Sequence, residues 1–211
     1  MEAQQPSFGI GDSISFGWER FKDNVGILLG VIAIVVAINI GFSILARGVN
    51  SGLAGALIAI ASWAVSVAIG MGILRVALKI TDGVTPAIDD LFVFDINFVA
   101  YAVTSILFGI AVVLGLIFFI IPGIMIALAW GFYGWPIVDR GALVGESLNV
   151  SADITRGHRW HLLGYGVVLG LLNFVGFITI VGWLVTIPVS IISVAYVYRR
   201  LSGDEVLATT L

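Results

Sequence analysis

Long apolar runs alternate with short polar interruptions along this chain, and two of the interruptions share one pattern. Between Leu143 and Arg156 the polar residues Glu146, Asn149, Asp153 and Arg156 recur at i, i+3, i+7 and i+10. Leu143, Ser147, Leu148, Val150 and Ile154 take the other side of the same wheel. Such a segment suits a helix lying in a membrane interface. Shifting the numbering so that Glu146 falls on Asp12 carries the four polar positions onto Asp12, Ser15, Glu19 and Lys22, with Ile14, Trp18, Phe21 and Val25 as apolar partners. The same shift takes Leu162-Leu163-Gly164 onto Leu28-Leu29-Gly30 and Asn173 onto Asn39. A fainter third copy has Asp82, Thr85 and Asp89 with Val84, Ile88 and Leu91, and Phe92 where the base belongs.

Each interfacial segment leads into apolar runs of membrane length. About 20 residues at ~1.5 Å each cross a hydrocarbon core of about 30 Å. Residues 1–11 form a lead without the basic region of a signal peptide, so the first span is expected to be a retained anchor. Spans are predicted over Val25–Ala46 and Leu53–Leu74, and, after a second interfacial segment at Ala87–Phe94, over Phe98–Ile120. A turn is expected at Ile121-Pro122-Gly123, then a short fourth span at Ile124–Val138 that Pro136 bends or ends. The fifth and sixth spans are Leu162–Ile180 and Trp183–Tyr198. The fold class is therefore an all-α integral membrane protein, one domain over residues 1–211. It comprises about six transmembrane helices in three parallel repeats (about 12–80, 82–139 and 143–200), each an interfacial amphipathic helix plus a helical hairpin.

Composition agrees. The chain is 60% hydrophobic and 11% charged, with a mean hydropathy of +1.12, where soluble domains carry about 25% charged residues. It has no cysteine, which removes disulfides and cysteine metal sites. Arg20, Lys22, Arg75, Lys79, Arg140, Arg156, Arg159, Arg199 and Arg200 fall on the face carrying both termini, and Arg47 alone falls on the other. Basic residues favour the cytoplasmic side, so a bacterial-type cytoplasmic (inner) membrane with both termini inside is expected. Repeats that all start on one side are parallel, unlike the inverted repeats of many transporters.

The residues Ser15-Phe16-Gly17-Trp18-Glu19-Arg20-Phe21-Lys22-Asp23-Asn24, Ile121-Pro122-Gly123-Ile124, Pro136-Ile137-Val138-Asp139, Gly145-Glu146-Ser147-Leu148, Ser151 and Arg156-Gly157-His158-Arg159-Trp160 resemble the membrane domain of bacterial glycerophosphoryl diester phosphodiesterases. They also resemble related stand-alone, largely uncharacterised multi-pass membrane proteins. The resemblance runs from about Ser13 to Leu201. It implies the membrane fold; the hydrolase chemistry of the fused enzymes belongs to a separate soluble barrel.

Few residues offer chemistry. His158 and His161, with Glu146 or Asp153, have a spacing that metal ligands could use, but a catalytic site needs three protein ligands. The ordinary reading is a helix start at headgroup level, and no metal or other cofactor is assigned. Asn39 and Asn173 are intramembrane amides expected to make interhelical contacts, since unsatisfied polar groups are costly in lipid. Gly26/Gly30 and Gly166/Gly170 are small-xxx-small faces expected to pack within the bundle. Arg156, Arg159, Arg199 and Arg200 are candidate contacts for lipid headgroups. Apart from residues at the ends, no ionisable residue lies inside a span, which disfavours ion coupling and proton relays.

The expected function is a non-enzymatic accessory or scaffold subunit of a larger membrane assembly, with membrane lipids and other membrane subunits as partners and no nucleic acid. The alternative is a lipid-handling or small-solute transport protein whose path is lined by Asn39, Asn173, Trp130, Tyr133 and Pro136. A membrane enzyme using His158, His161 and Asp139 is the least supported reading.

Overall fold

The computed structural model describes residues 8–49, 52–92, 97–179 and 181–204. Among them there is no strand, and nine α-helices follow one another: α1 (Ile10–Asp23), α2 (Val25–Arg47), α3 (Gly52–Thr81), α4 (Asn97–Phe118), α5 (Ile120–Trp130), α6 (Gly134–Arg140), α7 (Val144–Ile154), α8 (Arg159–Ile178) and α9 (Trp183–Leu201). Six spans are long and apolar enough to cross a membrane: α2, α3, α4, α5 with α6 (Ile120–Arg140), α8 and α9. They form three hairpins. The second limb of each is the inner one: half of the most apolar stretch of α9 is buried, against 11% for α2 and α4.

The short end elements are arranged around these inner limbs at one end of the bundle, called here the charged end. The second and third pack on the second limb of the preceding hairpin, and the first packs on that of the last hairpin. A single 3-10 turn, Ile88–Phe92, sits on α3, where Gly72 lets the Leu91 backbone approach so closely that an added Cβ would lie 2.5 Å from it. Helix α7 packs on α5 and α6, and α1 packs on α9.

The α1 contact depends on small residues. Ser13 and Gly17 are buried one turn apart, and a Cβ on Gly17 would meet Ser193 Oγ and come within 2.5 Å of the Val189 carbonyl oxygen. Phe21 follows them into a cluster with Leu28, Val76, Leu91, Val189 and Ile192. The polar face expected from the sequence, Asp12, Ser15, Glu19 and Lys22, is exposed. Trp18, expected among the apolar partners, is 45% exposed. An amphipathic ring at this level suits the bilayer interface, as do exposed Leu143 and Trp160 near the same end.

Three expectations need correction. The second interfacial helix is only the 3-10 turn; residues 93–94 of the predicted Ala87–Phe94 lie outside the described residues. The turn is held by Asp90, whose carboxylate accepts the Ala87 N–H at 2.8 Å and Lys79 Nζ at 2.6 Å. Burial works to raise the Asp90 carboxyl, but the Lys79 and Ala87 hydrogen bonds and the charges of Lys79 and Arg75 outweigh it and hold the group below its ordinary range. The second correction is that the hairpin after α4 turns at Phe119, in extended conformation, not at Ile121-Pro122-Gly123. Pro122 instead occupies the first turn of α5, where its missing N–H costs nothing, and Gly123 stacks against Gly115 and Leu116 so closely that neither glycine has room for a side chain.

Third, the fourth span is longer than predicted and is broken at residues 131–133. Proline in a helix interior leaves the i−4 carbonyl unbonded and clashes with it. Pro136 therefore requires the helix to restart just before it, and it stands in the first turn of α6. Helix α7 closes the break: Ser151 Oγ accepts the Phe132 N–H at 3.1 Å and donates to the Ala129 carbonyl at 2.9 Å. Thr155 Oγ1 adds a longer bond to the same carbonyl, at 3.3 Å. Broken backbone survives at membrane depth only where protein satisfies it.

Overpacking a tight helix contact typically costs about 1–3 kcal/mol. Gly17→Val is expected to lower thermal stability in detergent accordingly, whereas Gly26→Val, whose added Cβ meets nothing within 4 Å, should not. Equal melting temperatures for the two variants would show that α1 is not seated on α9.

Candidate functional site

At the charged end the three inner limbs stop at the same level and share one ion cluster. Gly83 and Gly141, both with φ near +70°, end α3 and α6 by taking the left-handed conformation that side chains resist. These stops leave Asp82 just beyond α3 and Asp139 in the last turn of α6. From α9, Arg199 reaches both. Its Nε and Nη2 donate to the two Asp82 carboxylate oxygens at 2.9 and 2.7 Å, and its Nη1 donates to Asp139 at 2.8 Å and to Asp204 at 3.3 Å. Asp139 also accepts from the Tyr198 hydroxyl at 3.1 Å and from Arg140 Nε at 3.2 Å, and Arg140 Nη2 donates to Asp204 at 2.8 Å.

The cluster is partly dry. The Arg199 and Asp139 side chains are 13% and 12% exposed, whereas Arg140 is 48% exposed. A planar guanidinium suits two carboxylates at once because its five N–H donors form a rigid fork. Three carboxylates against two guanidinium groups leave the cluster one negative charge over, at a surface where water reaches Asp82 and Asp204.

The other residues singled out in the sequence fall as follows. Arg199, taken as a headgroup contact, is instead committed to three carboxylates. Arg156 pairs with Asp153 at 3.1 Å on the surface. Arg200 is exposed and lies 5.8 Å over the Tyr196 ring, and Arg159 Nε is buried without a hydrogen-bond partner among the described residues. Asn173 donates to Ser190 Oγ on α9 at 2.7 Å and to its own Leu169 carbonyl at 2.8 Å, so its interhelical bond lies within one hairpin. Asn39 donates to its own Val35 carbonyl at 2.8 Å on an exposed face and makes no interhelical hydrogen bond among the described residues. Gly26, Gly30, Gly166 and Gly170 have nothing within 4 Å of an added Cβ, so these faces are open rather than packed within the bundle.

His158 and His161 do not converge. His158 Nδ1 lies 3.3 Å from the Arg156 carbonyl, and His161 Nε2 lies 3.0 Å from the Phe8 carbonyl, with the two rings of Phe8 and His161 edge to face at 4.8 Å. Among the described residues no three His, Cys, Asp or Glu side chains gather in a metal-holding group. Tyr133 packs beside Tyr101 and Phe108 of α4 rather than along an open path.

Two hollows lie at membrane depth along α9, one between the first and third hairpins and one within the third. One, of about 210 Å³, is bounded by α2, α3 and α9 and is lined by aliphatic side chains with Trp183 at one edge. Beside it a more open hollow of about 410 Å³ includes Asn173 and Ser190 in its wall. Sequence reasoning missed the ion cluster because its members are far apart in the chain; Asp-Gly and Arg-Gly at the ends of two apolar runs were the available signal.

Residues 76–210 match a family model described as a domain of unknown function, DUF7847. The chain belongs to the DUF7847 family. Its matched region contains Asp82, Asp139, Arg140, Arg199 and Asp204, the whole ion cluster. The chain is similar to the uncharacterized protein Rv2560 of Mycobacterium tuberculosis and to the uncharacterized protein Mb2590 of Mycobacterium bovis. Each is 27% identical to it over 239 aligned positions, covering 97% of this chain and 72% of the relative. No solved structure matches.

Removing one partner from a buried ion network is costly, on the order of 3–5 kcal/mol, while an exposed pair contributes roughly 0–1 kcal/mol. Arg199→Gln should therefore lower the unfolding temperature of the purified protein far more than Arg140→Gln. Comparable small shifts for both would show that the cluster does not hold the inner limbs together.

Proposed function

We propose that this DUF7847 protein is a non-enzymatic accessory or scaffold subunit of a larger membrane assembly. The observation that carries the proposal is the set of unfilled outer faces: among the described residues, a Cβ added at Gly26 or Gly30 on α2, or at Gly166 or Gly170 on α8, meets nothing within 4 Å, and exposed Asn39 lies farther along α2. Small residues let another helix approach closely, and a mid-membrane amide facing lipid gains from a partner on that helix. The groups gathered at the charged end are carboxylates paired with arginines, an arrangement that holds helices together rather than one that activates a nucleophile.

The proposed setting is a bacterial-type inner membrane with both termini cytoplasmic, since the basic residues concentrate at the charged end. We also read the three hairpins as parallel repeats. Supporting this, α1 and α7 begin at Ile10 and Val144, and α2 and α8 at Val25 and Arg159, in the same register that relates their sequences. Ser13, Gly17 and Phe21 are buried, as are Ser147, Ser151 and Thr155 at the corresponding positions. Asn39 and Asn173 correspond as well, each bonding its own i−4 carbonyl. The resemblance of the sequence motifs to phosphodiesterase membrane domains would fit the same non-catalytic role. The lipid-handling alternative draws support from the apolar hollow beside α9.

The test is gentle extraction from native membranes into nanodiscs, followed by mass determination of the intact particle. The expected result is a stoichiometric complex with at least one other membrane protein, which Gly26→Leu/Gly30→Leu or Gly166→Leu/Gly170→Leu weakens. A particle containing only this chain would contradict the proposal.

A further inference from the structure

The packing of α1 on α9 also builds a feature that the accessory reading does not use. Phe16 of α1 and Tyr196 of α9 meet with ring centroids 4.6 Å apart. Arg20 Cζ lies 5.2 Å over the Phe16 ring and Arg200 Cζ lies 5.8 Å over the Tyr196 ring. Two guanidinium groups thus ride on one pair of packed aromatic rings. Arg199, between Tyr198 and Arg200 in the chain, spends its charge on Asp82, Asp139 and Asp204, but neither Arg20 nor Arg200 has a carboxylate partner among the described residues. The Nε of Arg20 is moreover buried without a hydrogen-bond acceptor among the described residues. Cation–π contact holds a guanidinium in place but does not neutralise it, so among the described residues the pair presents positive charge without an ion-pair partner and one unused donor.

Below this pair lies the apolar hollow. Phe16 packs against the cluster that contains Leu28, Val31, Val76 and Ile192, and these four residues also line the hollow. Its rim includes exposed Val36 and Trp183, which opens it sideways to whatever surrounds α2 and α9. A volume of about 210 Å³ with an almost wholly aliphatic wall exceeds the small voids of ordinary cores and does not suit water, which needs several polar partners. At membrane depth the available filler is hydrocarbon.

We propose that the α1–α9 junction binds one anionic phospholipid, with its phosphate at Arg20 and Arg200 and one acyl chain in the hollow between α2, α3 and α9. The ligand is chosen by two demands that such a molecule meets together: negative charge at the interface and a flexible chain reaching inward from it. The site is independent of the accessory role, because a lone chain and a subunit in a complex would both carry it.

The experiment is native mass spectrometry of the purified full chain titrated with phosphatidylglycerol or with phosphatidylcholine of the same chains. Wild type should hold one phosphatidylglycerol with about thirtyfold preference over phosphatidylcholine, given the roughly additive attraction of two basic residues near anionic lipid. Arg20→Gln/Arg200→Gln should lose the preference while Arg20→Lys/Arg200→Lys keeps most of it, a comparison that separates charge from folding. Val31→Trp, which fills the hollow, should weaken the retention of both lipids. An unchanged preference in Arg20→Gln/Arg200→Gln, or unchanged retention of both lipids in Val31→Trp, would overturn the proposal. Absence of a co-purifying protein would bear on the accessory role alone.

Discussion

Six helices in a bilayer gain little from hiding apolar surface from one another, because lipid tails are as apolar as the helices themselves. What can fix their arrangement is close packing and polar contacts that have no substitute in the surroundings. In this protein the polar constraint is concentrated on one guanidinium, Arg199, which grips Asp82 beyond α3 and Asp139 in α6 from its place near the end of α9. Helix C-termini carry partial negative charge, and a cation placed among three of them is favourable on that account too. Because each inner limb ends here, the level at which each helix stops is part of the same constraint, and the glycines at 83 and 141 set two of those levels.

The end elements complete what the cluster begins. Helix α7 supplies Ser151 and Thr155 to the backbone that Pro136 forces open, so an amphipathic segment becomes part of a transmembrane limb's hydrogen-bonding. Helix α1 uses its corresponding face differently: Gly17 stands where α7 has Ser151, and the gain is close contact with α9 in place of a hydrogen bond. With the 3-10 turn on α3, every hairpin is covered by the end element that follows it, and α1 covers the last. The N-terminal helix thereby joins the beginning of the chain to its final span.

The spans were legible because lipid imposes a long apolar run on any helix that crosses it, and this signal survives without tertiary information. The polar face of α1 was equally plain in Asp12, Ser15, Glu19 and Lys22. Boundaries that depend on a neighbour were not. The break before Pro136 was placed at the proline itself because its repair comes from Ser151, and the turn at Phe119 was missed because Gly115 and Gly123 permit it only by touching each other. Asn39 and Asn173 look alike in sequence, yet Asn173 has Ser190 opposite it while Asn39 faces outward. Arg199 and Arg200 are adjacent and chemically identical, and only the fold assigns one to carboxylates and the other to the surface. The open glycine faces show the same limit from the other side: a small-xxx-small pattern states that close approach is allowed, not which helix makes it.

The closure of α1 on α9 is the feature on which the end-to-end arrangement rests, and the cysteine-free chain allows it to be probed directly. The measurement is cross-linking in native membranes of a protein carrying Phe16→Cys and Tyr196→Cys, with a short bifunctional thiol reagent, beside a control carrying Phe16→Cys and Phe174→Cys. The arrangement described here predicts an efficient intramolecular link for the first pair and none for the second, since Phe174 lies on the exposed face of α8. A first pair that links no better than the control would contradict it.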